Sequence, residues 1–451
     1  MGSDSDDAEM ADNGLRLKLA PFKLEHLQDY EPGGHHPVQL GDTLGDDGRY
    51  IVVHKLGHGG FANVWLCRDT RAQPLARYVA LKILMTDVSV EEKCSELRVI
   101  HQLKAWSDAE SASSKGAGYI CLPLDKFDID GPNGTHYCFV YPVLGPKVSL
   151  GLCRGSEDPD LVLRSVCFKV VEAIAFLHGH GMCHGDLTPI NILHRISGLD
   201  GLSEDALLKT LGEPRRNKIY HRDSESDNHD NPSAPQYLVY PIDWHAVDSK
   251  YISSDPCVID FGESFTASQP PEQLGIPGPY RSPELILEHK AGYGSDLWAL
   301  GCTLFEIRTG RRLFDMFDDE DDVYLDAIVE VLGKMPEPWW STTWAERKRL
   351  YEDQADESGK AIAVGDEEQH DVMGVNVTVH PSVAQVARSL MDKLAPGLWH
   401  LSDERDCHRE VSYRERELFA DLLGKLLTYA PEERISAEDA LQHDWFKYEE
   451  R

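Results

Sequence analysis

The sequence lacks the features expected of a secreted, membrane-spanning or zinc-binding protein. Its 10 cysteines include no C-x-x-C pair, so we expect reduced thiols rather than structural zinc or a disulfide framework. No apolar run approaches the roughly 18 residues that a transmembrane helix needs. The opening residues MGSDSDDAEM are acidic and polar, which is untypical of a signal peptide. We therefore expect a cytoplasmic and nuclear protein that does not enter a membrane.

Positive charge is also scarce. Lys and Arg together number 45 against 77 Asp and Glu, which gives a formal net charge of -32. This balance argues against direct binding of nucleic acid, because a phosphate backbone is held by basic residues. It is compatible with a basic partner, although an acidic surface also serves solubility.

The remaining composition is that of a large folded protein, with 451 residues of which 41% are hydrophobic. Runs such as RYIVVHKLG and RYVALKIL alternate with Gly and Pro turns, as in an antiparallel sheet. VEEKCSELRVIHQLKAW has helical spacing, and the later segments are mostly helical. We predict an α+β fold with two lobes after a polar tail at residues 1–30. The N-lobe at 50–144 is small and β-rich with one main helix, and the C-lobe at 145–447 is larger and mostly helical.

Two polar stretches interrupt this pattern, at residues 198–254 and 351–378. Both have little periodicity. Loops of this length inside a domain are usually functional or disordered insertions. We expect the middle of the first insert to be disordered.

A glycine-rich stretch and a following lysine indicate a phosphate site. In LGHGGFANVWL three glycines allow a phosphate to approach the backbone, although such a hairpin can also be purely structural. VALK then places Lys82 at the end of an apolar strand, where a buried ammonium group needs an anionic partner. We expect phosphate oxygens to fill this role together with Glu96 of the next helix, or with Glu92 one turn earlier.

Two further segments carry the groups that phosphoryl transfer needs. In HGDLTPINIL, Asp186 is placed to orient a hydroxyl group or accept its proton. Asn191 in the same segment and Asp260 in CVIDFGESF offer the oxygen ligands that Mg2+ prefers. Each can be an ordinary turn residue, but their order along the chain with Lys82 predicts transfer of a phosphoryl group from ATP.

Three later motifs extend the pattern: YRSPE at 280–284, DLWALG at 296–301 and PEERISAEDAL at 431–441. With them, residues 31–447 resemble a eukaryotic protein kinase domain. YEPGGHHPVQLGDTLGDDGRYIVVHKLGHGGFANVWLCRDT, DAIVEVLGKMPEPWW and the insert at 198–254 are similar to the SR-protein kinase (SRPK) family in particular. The resemblance implies a monomeric, ATP- and Mg2+-dependent serine/threonine kinase of arginine/serine-rich proteins linked to mRNA splicing.

The resemblance also assigns roles to the site. The catalytic residues are then Lys82, Glu96 and Asp186, and the metal ligands are Asn191 and Asp260. Glu284 and Arg434 would form a buried ion pair. Asp296 would brace the catalytic loop, which is the segment HGDLTPINIL, from a core helix.

The implied nucleotide site includes the hinge YPVL, with Tyr141 at its entrance. Pro142 has no N–H and offers only its carbonyl to adenine, so Leu144 supplies the amide. The implied contacts of the nucleotide are Leu56, Gly57, His58, Gly59, Gly60, Phe61, Ala62, Asn63, Val64, Ala80, Lys82, Pro142, Leu144 and Leu193.

Three positions that differ from most kinases or from the SRPK family affect regulation and substrate choice. Gly185 replaces an arginine that in many kinases pairs with a phosphate on the activation loop, so phosphorylation should not be the switch. Thr188 replaces a lysine near the transferred phosphate, which should slow the reaction. Arg311 occupies the place of an acidic docking residue and should repel basic peptides, whereas the acidic run 318–322 should attract them.

Two other functions fit parts of the sequence. HGD followed after four residues by Asn also occurs in kinases of aminoglycosides and choline, and YPIDWHAV offers Asp243 as a competing metal ligand. Against this, YRSPE and DLWALG belong to the peptide-binding lobe of protein kinases. The second alternative is a catalytically impaired scaffold, but the residues that such proteins commonly lose are present here.

Overall fold

The computed structural model describes residues 13–72, 77–97, 99–100, 102, 115–149, 158–221, 229–315, 320–357, 359–364, 369–372, 375–378, 389–401 and 406–449. These fall into two compact units. The first lies within Met1–Ser111, Ile120–Pro146 and Leu193–Gly262, and the second within Ala112–Tyr119, Lys147–Ile192 and Glu263–Arg451. The first is rich in sheet and the second in helix, which confirms the predicted α+β class. A single boundary at residue 144 does not describe this division, because residues 193–262 return to the first unit.

The strands are, in chain order, β1 Leu15–Leu17, β2 Thr43–Leu44, β3 Tyr50–His58, β4 Ala62–Asp69, β5 Arg77–Leu84, β6 Asp125–Gly131, β7 Gly134–Pro142, β8 Leu144–Lys147, β9 Met182–Cys183, β10 Ile192–Ile196, β11 Arg216–His221, β12 Tyr237–Val239, β13 Ile252–Val258, β14 Phe265–Thr266, β15 Tyr351–Ala355, β16 Ala361–Ala363, β17 Gln369–Val372, β18 Val375–Thr378, β19 Leu398–Leu401 and β20 Asp406–Arg409. Strands β2 to β7 form one antiparallel sheet in the order β2-β3-β4-β5-β7-β6. Its apolar side chains alternate along the strands, so Tyr50, Val52, Trp65, Leu81 and Val140 meet in one buried cluster.

The α-helices are α1 Pro159–Gly179, α2 Glu204–Leu211, α3 Pro283–Glu288, α4 Tyr293–Thr309, α5 Asp321–Leu332, α6 Arg347–Leu350, α7 Leu390–Leu394, α8 Tyr413–Leu426 and α9 Ala437–Ala440. Helices α1 and α4 pack together in the second unit and are buried along most of their length. Helix α1 begins where the Asp158 side chain accepts the amide of Leu161, with Pro159 at the first helical position. In the first unit, residues 95–97, 99–100 and 102 are helical within the segment predicted as the main helix.

The prediction of a polar tail at residues 1–30 is wrong for the part that the structure describes. Strand β1 pairs with β11, and Leu19 is bonded to Asn217, which lies 198 residues later. One buried cluster contains Leu15, Leu24, Leu27, Tyr30, Ile219, Ala234 and Leu238. The apolar residues of the tail are spaced irregularly because they fit the surface of a distant segment, so no helix or strand period reveals them.

The first insert, residues 198–254, carries more structure than the sequence predicts. Helix α2 buries Leu207 and Leu211 in a cluster with Val53, Leu66 and Tyr78 of the main sheet. The Tyr78 hydroxyl also donates to a carbonyl oxygen of the insert at 2.9 Å. Residues 222–228 lie outside the described residues, so the expected disorder in the middle of the insert stays a prediction.

The second insert, residues 351–378, forms antiparallel pairs in its described residues, β15 with β16 and β17 with β18. Tyr351 at its start is buried, and its hydroxyl donates to Asp326. The insert is therefore tied to the second unit by a buried aromatic residue within a mostly polar sequence. Among the described residues, we find no helix with the length and apolar character needed to cross a membrane.

Candidate active site

Lys82 on β5 bonds to two carboxylates of the first unit. Its ammonium nitrogen lies 2.8 Å from Glu96 and 3.0 Å from Asp260. Burial alone would lower the pKa of Lys82, but the two carboxylates raise it above its ordinary value. Lys82 is therefore a fixed positive charge that holds Glu96 and Asp260 together, and Glu96 is the partner that the sequence favours.

Tyr141 is a residue whose role the sequence analysis missed. It lies on β7 directly opposite Ala80, and its hydroxyl donates to Oε1 of Glu96 at 2.6 Å, while Lys82 bonds to Oε2. Burial, assisted by Glu96, raises the pKa of Tyr141 well above its ordinary value, so the phenol remains a donor. Each oxygen of Glu96 thus has its own partner. The signal in the sequence was a hydroxyl group inside the apolar run CFVY, because buried hydroxyls are hydrogen-bonded.

The glycine-rich stretch forms the turn between β3 and β4. The amide of Gly59 donates to the carbonyl of Ala62 at 2.8 Å, and the exposed Phe61 lies at the tip. A Cβ atom added at Gly57, Gly59 or Gly60 would meet no atom within 4 Å. Packing therefore does not require glycine at these positions. Access of a ligand to the backbone is the better explanation for the three glycines.

The predicted adenine contacts fall into several clusters of the first unit. Leu144 and Leu193 share a cluster with Cys121 and Cys257, whereas Leu56 packs in the cluster that holds the insert. In the sheet register, Val64 lies opposite Lys82 and Gly57, Asn63 lies opposite His58, and Pro142 lies opposite Val79. Some of the predicted contact residues therefore share a buried cluster, and others are cross-strand neighbours in the sheet.

Asp260 follows β13 and has an unusual backbone conformation. Its φ angle is 64°, in the left-handed region that non-glycine residues seldom occupy. Such conformations cluster at functional sites, where the surrounding structure holds them in place. Here the hydrogen bond to Lys82 and the bond from the Ser95 hydroxyl to the Gly262 carbonyl hold the segment on both sides.

The catalytic loop lies in the second unit and holds its predicted acid firmly. The amide nitrogen of the Asn191 side chain donates to the Asp186 carbonyl at 2.9 Å and to its carboxylate at 2.8 Å. The backbone amide of Asp186 donates to the His184 ring at 3.2 Å. The structure therefore brings Asp186 and Asn191 together, and their carboxylate and amide have defined orientations.

Asp296 on α4 braces this loop. Its carboxylate accepts the amides of His184 and Gly185 at 2.6 and 2.9 Å, and His178 lies 3.1 Å away. Burial alone would raise the pKa of Asp296, but His178, His184 and the Gly185 amide lower it. The predicted brace is confirmed.

The predicted ion pair of Glu284 and Arg434 is also confirmed. It is buried and bidentate, with distances of 2.6 and 2.8 Å. This geometry is the one that an Arg and a carboxylate adopt when they form two parallel hydrogen bonds.

Comparison with known proteins agrees with this arrangement. Residues 252–446 match a family model described as the protein kinase domain. The serine/threonine-protein kinase SRPK of Physarum polycephalum is 27% identical over 93% of this chain and 91% of its own length. The serine/threonine-protein kinase AFC3 of Arabidopsis thaliana is 28% identical over 93% of this chain and 87% of its own. SRSF protein kinase 3 of Homo sapiens is 35% identical over 38% of this chain and 29% of its own.

The chain is a serine/threonine protein kinase related to the SRPK family. Of the two alternatives, the small-molecule kinase depended on Asp243 as a metal ligand. In the structure Asp243 is exposed, and its carboxylate accepts the amide of His245 in a turn. The catalytically impaired scaffold gains no support, because Lys82 bonds to Glu96 and Asp260, and Asn191 holds Asp186.

Gly185 of the kinase is required by the backbone of the catalytic loop. Its φ angle is +81°, and a Cβ atom there would lie 2.2 Å from the carbonyl oxygen of Glu263. An arginine at this position would therefore clash before its charge could act. The local backbone geometry thus explains why the catalytic loop has glycine here and no arginine that could pair with a phosphate.

The residues that bear on substrate charge are partly engaged within the kinase. Arg311 donates to the carbonyl of Lys393 at 3.1 Å, and burial lowers the pKa of Arg311. In the acidic run, residues 318 and 319 lie outside the described residues, while Asp321 pairs with Arg281 at 2.8 Å. Asp322 accepts the indole N–H of Trp344 at 2.8 Å. The run therefore offers less unpaired charge than its sequence suggests.

Proposed function

We propose that this kinase transfers the γ-phosphoryl group of ATP to serines flanked by arginines in SR-type proteins, and so takes part in the regulation of mRNA splicing. The observation that carries the proposal is the contact of Lys82 with both Glu96 and Asp260. Protein kinases need this lysine–glutamate pair and the metal-binding aspartate in place together.

The residues present fit a magnesium ion. The Asn191 side chain uses its nitrogen to hold Asp186, which leaves its oxygen as the atom for a cation. In the first unit, the Asp260 carboxylate is an oxygen donor of the same hard kind, which suits Mg2+. When bound, the metal neutralises charge on the phosphates. Lys82 adds a positive charge for the nucleotide, with Glu96 and Tyr141 holding its position.

Asp186 is proposed to act on the substrate hydroxyl. Its carboxylate is held by Asn191 and its backbone is held through the loop that Asp296 braces. A carboxylate with a fixed direction can orient a serine hydroxyl and accept its proton as the phosphorus–oxygen bond forms.

The proposed substrates are basic, and two observations support them. The formal net charge of the kinase is -32, so basic peptides are steered towards it. A human relative is named SRSF protein kinase 3. We further propose that the kinase works as a monomer in the cytoplasm and nucleus, in line with the buried free cysteines that the structure describes.

A peptide library tests this proposal. Phosphate transfer from γ-labelled ATP is measured on Arg-Ser repeats, acidic peptides and proline-directed peptides, with a Lys82→Met variant as the inactive control. We expect labelled serine in the Arg-Ser set. Arg311→Asp should lower KM for that set, and added salt should reduce the gain by screening. Labelling of the acidic set instead would contradict the proposed substrate and leave the kinase activity standing.

A further inference from the structure

The N-terminal segment at residues 23–30 contacts both strands of the glycine-rich hairpin. Lys55 on β3 pairs with Glu25. Glu25 also accepts the hydroxyl of Tyr30 at 2.8 Å, and Asn63 on β4 donates to that hydroxyl at 3.4 Å. One small network therefore joins the segment to the strand before the loop and to the strand after it.

This network is almost completely buried. The exposed fractions are 2% for Glu25, 1% for Tyr30, 0% for Lys55 and 2% for Asn63. Burial alone would raise the pKa of Glu25, but the Lys55 ammonium lowers it, so the carboxylate stays charged. A buried ion pair adds little net stability over an apolar pair of similar size, and its best-attested use is to fix one arrangement. The network is thus better explained as a means of fixing the segment against the hairpin than as a source of folding stability.

A third contact reaches the loop itself. His58, the last residue of β3, lies near the backbone of Lys23: burial lowers the pKa of His58, and the Lys23 backbone opposes that shift. Lys23 has a φ angle of 60°, which turns the chain sharply at this point. Because Asn63 lies directly opposite His58 in the sheet, the contact of Tyr30 with Asn63 reaches the hairpin next to its turn.

We propose that residues 23–30 form an N-terminal clasp that holds the glycine-rich hairpin in the conformation that binds ATP phosphates, with Glu25 and Tyr30 as positioning residues. This inference rests on the proposed function for its effect on ATP. It assigns a role in the reaction to a segment of which only Tyr30 belongs to the stretch that resembles the SRPK family.

The hairpin needs such support because little else holds its tip. Apart from the ladder between β3 and β4, the Gly59 amide donates to the Ala62 carbonyl and the Met85 amide donates to the Phe61 carbonyl. Space around the three glycines is open. A loop fixed before binding loses less conformational entropy when the nucleotide binds, which raises affinity. The clasp should therefore act on KM for ATP and leave the peptide site and the chemical step nearly unchanged.

Steady-state kinetics of three variants test the clasp. Tyr30→Phe removes only the hydroxyl, and the double variant Glu25→Gln/Lys55→Met removes both charges, so that neither is left buried and unpaired. Glu31→Gln is the control, since Glu31 is an exposed acid next to the clasp. We expect KM for ATP to rise about three- to tenfold in Tyr30→Phe, the effect of one lost hydrogen bond, and further in the double variant. The control should match the wild type, and KM for peptide and kcat should change by less than about twofold in all three.

Hydrogen exchange gives a readout that does not depend on ATP. In the double variant, amides of residues 57–63 should exchange faster than in the wild type, while those of α4 keep their protection. If a folded double variant shows unchanged exchange at 57–63 and unchanged KM for ATP, the clasp is wrong. If the wild type binds no ATP, the proposed function fails, and the exchange rates alone then decide whether the clasp exists.

Discussion

At the scale of single residues, the site consists of charged groups that each have a fixed partner. Lys82 divides its contacts between Glu96 and Asp260, and Asn191 holds Asp186 by two hydrogen bonds. Such preorganisation means that little has to move when charge develops in the transition state. Substitution of one partner should therefore change one kinetic constant more than the others.

Asp186→Ala should abolish turnover and leave nucleotide binding almost intact, because Asp186 acts on the substrate hydroxyl. We expect kcat to fall by at least about a hundredfold, the usual contribution of a general base. Binding of a fluorescent ATP analogue should be close to wild type. Asp243→Ala is the matched control, since this exposed acid should not matter; loss of activity there would favour the small-molecule kinase, in which Asp243 is the metal ligand.

Tyr141→Phe should weaken ATP binding through Glu96. The ring still fills its place, but Oε1 of Glu96 loses a donor at 2.6 Å. A lost hydrogen bond to a charged group costs about 1.5–3 kcal/mol, so KM for ATP should rise by about ten- to a hundredfold. In a Glu96→Gln background the added effect should be much smaller. Equal effects in both backgrounds would show that Tyr141 does not act through Glu96.

Sequence reasoning foresaw the charged residues of the site and missed Tyr141. Lys82, Asp186, Asn191 and Asp260 stand in short motifs whose residue types follow from the chemistry of phosphate and metal. The role of Tyr141 depends on the register of β5 and β7, which sets its ring opposite Ala80. Register between strands that are distant in sequence cannot be read from either strand alone.

At the scale of elements, the catalytic loop and the segment after Asp260 form one fixed piece of the second unit. Gly185 lies against the backbone of Glu263, and the Ser264 hydroxyl donates to the His184 carbonyl at 2.7 Å. Further along, the Tyr280 hydroxyl donates to Glu306 at 2.6 Å, and burial raises the pKa of Tyr280. These contacts between the protein's own groups hold the segment in place.

Phosphatase treatment should therefore leave activity unchanged, and so should Tyr280→Phe apart from a modest loss of stability. A hydrogen bond to a charged group contributes about 1.5–3 kcal/mol. Activity is measured before and after treatment, with mass spectrometry to verify removal of phosphate. Thr266→Ala and Ser268→Ala serve as controls for the two hydroxyl residues earlier in the segment. A large loss that an upstream kinase restores would contradict this prediction.

The elements that the sequence did not reveal are those that pack against distant partners. The N-terminal strand β1 is completed only by β11 of the insert, and α2 is a short helix whose apolar residues face the main sheet. Both lie in polar surroundings in the sequence, so their few apolar residues give a weak periodic signal. The long helices and the main sheet were predictable because each carries enough buried positions to show its own period.

At the scale of the whole molecule, buried neutral histidines make stability depend on pH. Burial lowers the pKa of His35 to about 4 and that of His36 to about 4. Histidines of the unfolded chain have pKa values of about 6.5. Between this pH and about 4, the unfolded chain therefore binds more protons than the folded protein. The free energy of unfolding should therefore fall as the pH drops from about 6.5 towards 4.

Melting temperatures at about pH 7 and pH 5.5 test this dependence, in a range where most carboxylates stay charged. We expect a lower Tm at the lower pH, and a smaller difference in His36→Gln because one buried proton site is gone. His245→Gln, at an exposed position, should keep the wild-type difference. An identical difference in all three proteins would mean that His36 is not held neutral by burial.

The charge of the whole molecule bears on its central assignment, a kinase for arginine-flanked serines. The most direct test is the ratio of kcat/KM for two peptides that differ only in the residues around one serine, arginine in one and glutamate in the other, at low salt. We predict that the arginine peptide is preferred and that the preference shrinks as salt screens the attraction. Equal rates for the two peptides, or preference for the glutamate peptide, would contradict the assignment.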